Sequence, residues 1–582
     1  MAQPWPYPLR TTPAQPSTVR AVEAIKPAIL QAMEDDGFPV EHYGFNFRVE
    51  DVTKPGYPFG GRAATMLRLV FQDAPHIPGE LGPAKDAVYE LILQRGIRDV
   101  GVEIVFLDKC FRPSLFAISR NDPAVQIYET ARRSIREMIA SRLRNEWSLL
   151  SLFKLGLVKQ KSSPTIVVYV DPLSVHDWHD LGLQIKLKLP PNNPHAMAID
   201  VEFLPGRIFT SDDDLVPGGH NMVDSMGTNG VPSPGTSITV LPETGGGTLG
   251  PFVVLRQNGK ALNCALTNFH VVRPPRNTDE DIVKAADRFG SSPGNANKTA
   301  FDVSWLAPRD VEKTKSWVKE NLDHDLPALR KEDDDIAMRE IAGATVSKGL
   351  IARQASLADL VTRLQQQLAI LERMPMRIGR TLLSSGRTIA ENRLADWALI
   401  ELDSELFANH PADFVNKFPL VTGENLPADT TLPPKEGDPL DQFGPLVKNS
   451  WYCKSGITTG VTGGICNGVS TDCQWPKEKR QRYSKDGKTA QYITDGITEE
   501  WVVTSEMAGA GGRRQTAFSL EGDSGSGIID REGRICGLLY GGAKGLCGYS
   551  DNHISGLCSS MDDVRRWIEQ RMGPGATLEL PQ

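Results

Sequence analysis

The stretch Ser211–Gly235 is rich in glycine, proline, serine and aspartate, and it separates two parts of the chain with different hydrophobic patterns. Such a composition is typical of a linker. Residues 18–210 alternate between helical and strand-like apolar spacing, whereas short apolar runs separated by Gly-rich turns begin at Thr236. The second pattern is typical of an all-β barrel or sandwich. The 582 residues allow about three or four folding units, so we predict a multidomain protein.

Residues 18–210 contain two segments with the same order of strand, helix and strand. They are Thr65–Phe71, Ala84–Arg95 and Val100–Leu107 in the first segment, and Thr165–Val170, Leu173–Lys188 and Ala198–Leu204 in the second. Between them, apolar residues at steps of four predict a long amphipathic helix over Ala124–Leu152. We predict an α/β domain of unknown role here, and an internal duplication of a β-α-β unit is one interpretation of it.

The remaining boundaries follow from changes in composition. We predict a Pro-rich leader over residues 1–17, a β-rich domain over 236–572 and a C-terminal tail over 573–582. The β pattern is interrupted over 276–375 by a charged stretch and by a helical apolar stripe over Leu357–Met374. We interpret this interruption as a partly helical insertion.

Composition and the N-terminal sequence argue against several classes of protein. The chain has 64 basic and 72 acidic side chains and a net charge of -8, whereas nucleic-acid-binding proteins are usually basic. We therefore expect no nucleic-acid partner and interpret the basic patch at 477–485 as a solvated loop. No apolar run is long enough for a membrane span, and the N-terminus lacks the apolar core of a secretory signal. We therefore expect no membrane association. The eight cysteines are few for this length and include no Cys-x-x-Cys pair, which favours a reducing compartment, so we expect an intracellular, cytoplasmic location.

The most informative motif is the heptapeptide Glu521–Gly527 (EGDSGSG), which directly precedes an apolar strand. A serine between aspartate and glycine lies on a tight turn, where small residues let backbone N–H groups converge on a developing oxyanion. An acyl-transfer nucleophile requires this environment, and Ser524 is the candidate. The competing interpretation is a Gly-rich β-turn without chemistry.

A serine nucleophile needs a base that is held in place by a third group. His270 lies near the end of the β-rich run 261–272, so a rigid strand would deliver it to a turn. Asp396 directly precedes the apolar segment Trp397–Leu402, where it would be half-buried. Asp335 is the rival carboxylate, but charged residues cut its apolar segment short. We therefore favour Asp396.

Together these segments resemble the chymotrypsin-like (trypsin-like) serine peptidase family. Three of them are similar to that family's histidine, aspartate and nucleophile motifs, in that order: Thr267–Val271, Asp396–Leu399 and Gly522–Gly525. The order His, Asp, Ser differs from that of subtilisins and α/β-hydrolases. The resemblance covers about Thr236–Pro275 and Met376–Met572.

The resemblance implies an all-β, two-barrel domain and a serine endopeptidase that acts on a protein or peptide. It implies that Ser524 attacks the scissile carbonyl, that His270 transfers the proton and that Asp396 fixes the imidazole. The backbone N–H groups of Gly522 and Ser524 would form the oxyanion hole. Such a mechanism requires no metal and no cofactor.

Several family features are missing from the sequence. Positions that relatives often bridge by disulfides hold Val271 and Leu520, which agrees with an intracellular setting. In secreted relatives Asp523 would pair with a new N-terminus freed by cleavage, but more than 200 residues precede the barrel here. Activation by such a cleavage is therefore not evident.

The position that often forms the base of the family's specificity pocket is Phe518, and the groove strand contributes Tyr540 and Gly541. Without a carboxylate at position 518, a preference for arginine or lysine is not expected. We expect a small or apolar side chain before the scissile bond.

Other interpretations remain open at the level of sequence. An inactive peptidase fold that serves as a scaffold or binding module is the second hypothesis, and the intact triad argues against it. The α/β domain and the helix over 357–374 are expected to recruit a protein partner or to gate the site. His176 and His179 have a spacing that a helical metal site would use, but a solvated helix turn is preferred because no third ligand is evident. Gly509–Arg514 lacks the Lys-Ser/Thr of a phosphate-binding loop.

Overall fold

The fold is taken from a computed structural model of the chain. It describes all residues except 1–9, 37, 39, 41–43, 54–62, 72–81, 107–113, 157–158, 172–173, 175, 191–192, 211–229, 276, 293, 295–298, 409–410, 419–433, 476–480, 484–489, 493–495, 506–516 and 548–549.

The first described unit is a four-stranded sheet with three helices. Its elements are β1 (Arg10–Pro13), α1 (Pro16–Ala24), α2 (Lys26–Asp35), β2 (Phe45–Thr53), β3 (Ala64–Phe71), α3 (Gly82–Gln94) and β4 (Val100–Phe106). Strands β2 and β3 are antiparallel, whereas β3 and β4 are parallel, as a helical crossover requires. The predicted leader over 1–17 therefore contains an edge strand and the start of a helix.

A second unit repeats the order helix, strand, strand, helix, strand. Its elements are β5 (Ser114–Phe116), α4 (Pro123–Leu143), β6 (Trp147–Gly156), β7 (Ser163–Val170), α5 (Trp178–Lys188), α6 (Pro194–Met197) and β8 (Asp200–Thr210). Strand β6 is antiparallel to β7, and β7 is parallel to β8, which matches β2, β3 and β4. Each unit therefore contains a β-α-β segment that directly follows a helix and an antiparallel strand, and an internal duplication remains an interpretation of this order.

Helix α4 is shorter than the predicted Ala124–Leu152. It ends at Leu143, and Arg144 then adopts a positive φ of 51°. The residues that follow form β6, whose central positions are buried consecutively. Consecutive burial is typical of a strand covered on both faces, and in the sequence such an apolar run also fits the stripe of a helix.

The β-rich region begins with an eight-stranded sheet. In spatial order its strands are β10 (Gly247–Thr248), β9 (Ser237–Val240), β13 (Asp302–Trp305), β14 (Met376–Ser384), β17 (Ala398–Leu402), β12 (Lys260–Thr267), β11 (Phe252–Gln257) and β27 (Thr577–Glu579). Strand β13 falls inside the predicted insertion 276–375, and β27 falls inside the predicted tail 573–582. Both strands are too short for an alternating pattern to be recognised in the sequence.

Six antiparallel strands form a closed ring. They are β18 (Trp451–Gly456), β19 (Gly460–Cys466), β23 (Ile497–Ser505), β26 (Ser550–Ser560), β25 (Ile535–Cys547) and β24 (Gly527–Asp530). Each strand pairs with the next, and β24 pairs back to β18. In the described part of the chain, the end strands of the eight-stranded sheet are not paired with each other. The two-barrel arrangement therefore stays a prediction.

Strands β23, β25 and β26 also belong to a second closed ring. Strand β23 pairs with β20 (Thr471–Gln474), β20 with β6, β6 with β7, β7 with β8, and β8 with β25. Successive residues of β7 alternate between two cores, since Val168 packs against α4 and α5 whereas Val167 and Tyr169 pack inside the ring. Strand β25 pairs with β8, whose outer edge would otherwise present unpaired backbone groups. The sheet therefore continues across the domain boundary that the sequence predicts at residue 210.

A buried ion pair links α4 to this ring. Arg132 donates through Nε and Nη2 to the two carboxylate oxygens of Asp472 on β20, both at 2.9 Å. Burial raises the pKa of the Asp472 carboxyl, and Arg132 opposes that rise. The arginine therefore offsets part of the cost of burying this carboxyl group.

The insertion contains α7 (Glu280–Phe289), α8 (Pro308–Ile341) and α9 (Lys348–Leu371). The charged stretch that precedes Asp335 is thus helical. The predicted helix over 357–374 is the second half of α9, and its apolar stripe, including Val361 and Leu364, is buried in the core of the eight-stranded sheet. That stripe is therefore covered by the chain itself.

The remaining elements are two short hairpins and a last helix. They are β15 (Thr388–Ala390) with β16 (Arg393–Ala395), β21 (Gln481–Tyr483) with β22 (Ala490–Tyr492), and α10 (Met561–Met572). Among the helices that the structure describes, none is both long and apolar enough to cross a membrane. Two segments that the sequence singled out lie outside the described residues. They are Gly509–Arg514 and the basic patch at 477–485, of which only the backbone of β21 is described.

Candidate active site

The turn that carries Ser524 is joined by the short strand β10 to β12, the strand that leads to His270. Thr248 on β10 donates its backbone N–H to the Ser524 carbonyl at 2.8 Å and its hydroxyl to the Gly522 carbonyl at 2.9 Å. Thr267, the last residue of β12, donates in turn to the Thr248 carbonyl at 3.0 Å. The two segments that the sequence singled out therefore lie against each other.

His270 and Asp396 form a direct hydrogen-bonded pair. His270 Nδ1 lies 2.6 Å from one carboxylate oxygen of Asp396, and the His270 backbone N–H donates to the other at 3.2 Å. Asn268 donates to the Asp396 carbonyl at 2.6 Å. In the tautomer that donates from Nδ1 to Asp396, the lone pair of the imidazole lies on Nε2.

The pairing of β12 with β17 brings these two side chains together. Thr267 lies opposite Ala398 in this antiparallel ladder, so the residues just beyond each strand end meet at one edge of the sheet. The side chains of His270 and Asp396 are only 4% and 8% exposed. The pair is thus held in a nearly dry environment by backbone geometry.

Ser524 is also buried, but its hydroxyl points elsewhere. Ser524 Oγ donates to the carbonyl of Tyr540 at 3.1 Å. His270 Nε2 is buried and has no hydrogen-bond partner within the described residues. The serine–histidine bond is therefore not formed in this conformation, and such bonds are often absent from ligand-free sites.

The backbone around Ser524 presents two free donors. Gly522 and Gly525 have φ angles of 98° and 102°, which only glycine adopts without strain. Among the residues that the structure describes, neither the N–H of Gly522 nor that of Ser524 has an acceptor. These are the two N–H groups that the sequence resemblance assigned to an oxyanion hole.

A buried lysine holds the residue between those two donors. Lys454 Nζ lies 3.1 Å from Asp523 Oδ2, and both side chains are fully buried. Thr458 and Thr459 donate their backbone N–H groups to Asp523 Oδ1 at 2.8 and 3.1 Å, and Leu520 donates to Oδ2 at 2.9 Å. Burial lowers the pKa of Lys454, and the charge of Asp523 opposes that fall. Asp523 is therefore fixed from several sides, and with it the backbone on either side of it.

The predicted specificity-pocket residues do not face one cavity. Phe518 is buried inside the six-strand ring, where its ring packs against Gly464 and Gly556. Tyr540 is buried inside the seven-strand ring, because adjacent residues of β25 point to opposite faces. Gly541 lies against the backbone of Phe209 on β8.

The competing candidates lie away from these residues or have other partners. Asp335 is on α8, is 46% exposed and pairs with Arg339 at 3.2 Å. His176 Nε2 lies 2.8 Å from a carboxylate oxygen of Glu146. Within the described part of the chain, no group of three or more His, Cys, Asp or Glu side chains could hold a metal.

Sequence reasoning missed Lys454, Thr248 and the position of the strand β8 beside Ser524. A lysine inside the apolar run Trp451–Gly456 is a signal that could have pointed to a buried ion pair. Thr248 and β8 give no such signal, because their role depends on residues far away in the chain.

Comparisons with known proteins give little further information. No protein-family model matches the chain, and no curated protein matches it. One solved structure with a similar chain is described as a glutamic acid-specific serine protease that uses a histidine triad in substrate binding. It is 13% identical, the match covers 60% of this chain and 99% of that chain, and the TM-score is 0.26. This similarity is too weak to support a conclusion about the present chain.

Proposed function

We propose that this protein is a serine endopeptidase that hydrolyses peptide bonds through Ser524, His270 and Asp396. The observation that carries the proposal is the His270–Asp396 pair at 2.6 Å, beside a serine turn whose two N–H groups have no acceptor among the described residues. These are the base, the orienting carboxylate and the oxyanion donors that acyl transfer requires.

Catalysis begins when the Ser524 hydroxyl rotates from the Tyr540 carbonyl to His270 Nε2. Oγ then bonds to the scissile carbonyl carbon while Nε2 takes the hydroxyl proton. The proton passes to the leaving amine as the carbon–nitrogen bond breaks, and water hydrolyses the acyl-enzyme by the same route in reverse. Asp396 holds Nδ1–H and stabilises the imidazolium, and the N–H groups of Gly522 and Ser524 stabilise the oxyanion.

The fold proposed for this activity is the chymotrypsin-like pair of barrels. The six-strand ring would be the second barrel, with the eight-stranded sheet as the first. Ser524 lies just before β24 of the ring, and His270 and Asp396 lie at the edge of the sheet. The predicted triad therefore spans the junction between the two.

Partners and location are proposals as well. The substrate class is a protein or peptide, and the N-terminal units with the α8–α9 insertion recruit a partner or control access. The described cysteines Cys264, Cys453, Cys466, Cys473, Cys536 and Cys558 are buried and unbridged. Buried free thiols are compatible with a reducing, intracellular compartment.

A serine-directed fluorophosphonate probe tests the chemistry. We expect it to label the purified wild type at Ser524, and Ser524→Ala and His270→Ala each to abolish the labelling, since the two residues act as a unit. Ser356→Ala, at an exposed serine of α9, is the matched control and should label normally. Absence of labelling, or labelling that survives Ser524→Ala, would favour the alternative of an inactive peptidase fold that serves as a scaffold or binding module.

A further inference from the structure

The edge of β25 that faces Ser524 is already paired on both sides of that serine. On one side, β24 and the turn residue Ser526 pair with β25 up to Leu539. On the other side, β8 pairs with Gly541–Gly545. Between them lies Tyr540, whose carbonyl accepts the hydrogen bond from Ser524 Oγ. A peptide could not add to this edge without displacing something.

Strand β8 fits closely against this edge. A Cβ atom on Gly541 would clash with the Phe209 carbonyl oxygen, and one on Gly542 would lie 2.8 Å from the Phe209 ring. Ile208 and Thr210 are buried. Because β8 also closes the seven-strand ring through β7, it is an integral strand that lies at the nucleophile rather than a loosely attached tail.

The direction of β8 is that of a peptide approaching Ser524. Arg207 lies opposite Lys544 and Thr210 lies opposite Gly541, so residues later in β8 lie closer to Tyr540 and the nucleophile. The part of a substrate that precedes the scissile bond must run the same way if it pairs antiparallel with β25. Such strand addition is a common mode of peptide binding at a sheet edge.

We propose that β8 is an autoinhibitory strand. It occupies the edge of β25 on which a peptide substrate pairs, and peptide hydrolysis requires β8 to leave Gly541–Gly545. This inference rests on the proposed peptidase activity, since it concerns access to the same serine. The small fluorophosphonate probe needs no strand pairing, so we expect its reaction with Ser524 to be independent of β8.

An engineered disulfide between β8 and β25 tests the proposal directly. Ile208 and Ala543 lie opposite each other and share one buried core. Directly opposite Cβ atoms are ~4.5–5.5 Å apart, close to the ~3.5–4.5 Å of a disulfide. In Ile208→Cys/Ala543→Cys, we expect oxidation to lower the hydrolysis of a proteome-derived peptide library about tenfold or more, and reduction to restore it. Fluorophosphonate labelling should be equal in both states.

A loosening variant provides the complementary test. Ile208→Ala removes buried contacts of β8, and we expect it to raise peptide hydrolysis about tenfold without changing the labelling rate. Arg207→Ala, at the neighbouring exposed position, is the matched control and should hydrolyse at the wild-type rate. This test also decides the question if the disulfide does not form.

The outcomes separate the two proposals. Equal hydrolysis by the oxidised and reduced disulfide variant would overturn the autoinhibitory role. Intact labelling with no gain of hydrolysis in a folded Ile208→Ala would also overturn it. If no form of the protein labels at Ser524, the peptidase activity itself fails, and the role of β8 fails with it.

Discussion

Lys454→Met is the substitution that tests the architecture of the Ser524 turn most sharply. The Lys454 ammonium is fully buried and lies 3.1 Å from the Asp523 carboxylate. It also donates to the Thr459 hydroxyl and to the Gly460 carbonyl. Methionine has a similar shape and supplies none of these bonds, so the change isolates the charge and its hydrogen bonds.

The expected magnitude follows from the burial of both charges. Removing one partner of a buried ion pair costs ~3–5 kcal/mol, because the other charge is left without compensation. The folded protein should tolerate this loss, because natural domains have ~5–15 kcal/mol of stability. The turn should relax to solvate Asp523, and this would move the N–H groups of Gly522 and Ser524. Loss of one oxyanion donor costs ~10²–10³ in rate, and we expect fluorophosphonate labelling to slow by about that factor.

The assay combines urea unfolding with the rate of fluorophosphonate labelling. Lys260→Met makes the same change at an exposed position of β12 and should leave both measurements unchanged. The double variant Lys454→Met/Asp523→Asn removes the uncompensated charge and should recover most of the lost stability. If Lys454→Met unfolds at the wild-type urea concentration and labels at the wild-type rate, the buried pair does not hold the turn.

Asp396→Asn should slow fluorophosphonate labelling by ~10⁴, because asparagine no longer fixes the imidazole of His270 in the tautomer that accepts the serine proton. Asp335→Asn should leave the labelling rate unchanged, and the opposite result would reverse the assignment of the carboxylate. Burial raises the pKa of Glu500, so the stability from its protonated form is present below its ordinary pKa and is lost as pH rises through the raised value. In urea titrations at several pH values, the unfolding free energy of the wild type should therefore fall above pH ~4.3, and that of Glu500→Gln should fall less. Parallel curves of unfolding free energy against pH for the two proteins would contradict this. Arg132→Met should lower the unfolding free energy by up to ~3–5 kcal/mol, because it leaves the buried Asp472 carboxylate with only the partly exposed Arg136, 3.1 Å away, as an ion-pair partner. Arg133→Met, at an exposed neighbour, should change the unfolding free energy little, and equal losses for the two would argue against a role of the Arg132–Asp472 pair.

The candidate site could be proposed from sequence because its chemistry restricts the residues locally. A turn that brings a serine and two backbone N–H groups to one site needs glycine at positions such as 522 and 525, and these positions have positive φ angles. His270 and Asp396 each adjoin an apolar strand, and the pairing of those strands brings the two side chains within 2.6 Å. Each of these signals lies within a few residues of the side chain it concerns.

The two β-α-β segments were also visible in the sequence, since strand and helix periods differ and each segment contains both. Their boundaries were less accurate, because β6 is buried on both faces and its run of apolar residues resembles the stripe of a helix. Helix α8 was missed as a helix because most of it beyond Leu322 is polar or exposed. A periodic apolar pattern marks the buried face of a helix, so a helix that is mostly exposed shows little apolar periodicity in the sequence.

The closed rings could not be predicted, because they depend on partners far apart in the chain. Ser151 on β6 bonds to Thr471 on β20 at 2.9 Å across 320 residues. Neither strand has a residue that specifies the other. The position of β8 beside Ser524 has the same origin, which explains why sequence patterns suggested a separate N-terminal domain.

The seven-strand ring also sets an order of events during synthesis. The 320 residues between Ser151 and Thr471 take roughly 16–64 s to translate at ~5–20 residues per second. Strands β6, β7 and β8 emerge first and must wait that long for β20 and β25, with apolar faces and open edges exposed on the ribosome. The yield of native protein should therefore depend on elongation rate and on chaperones that shield nascent strands, independently of how stable the finished ring is.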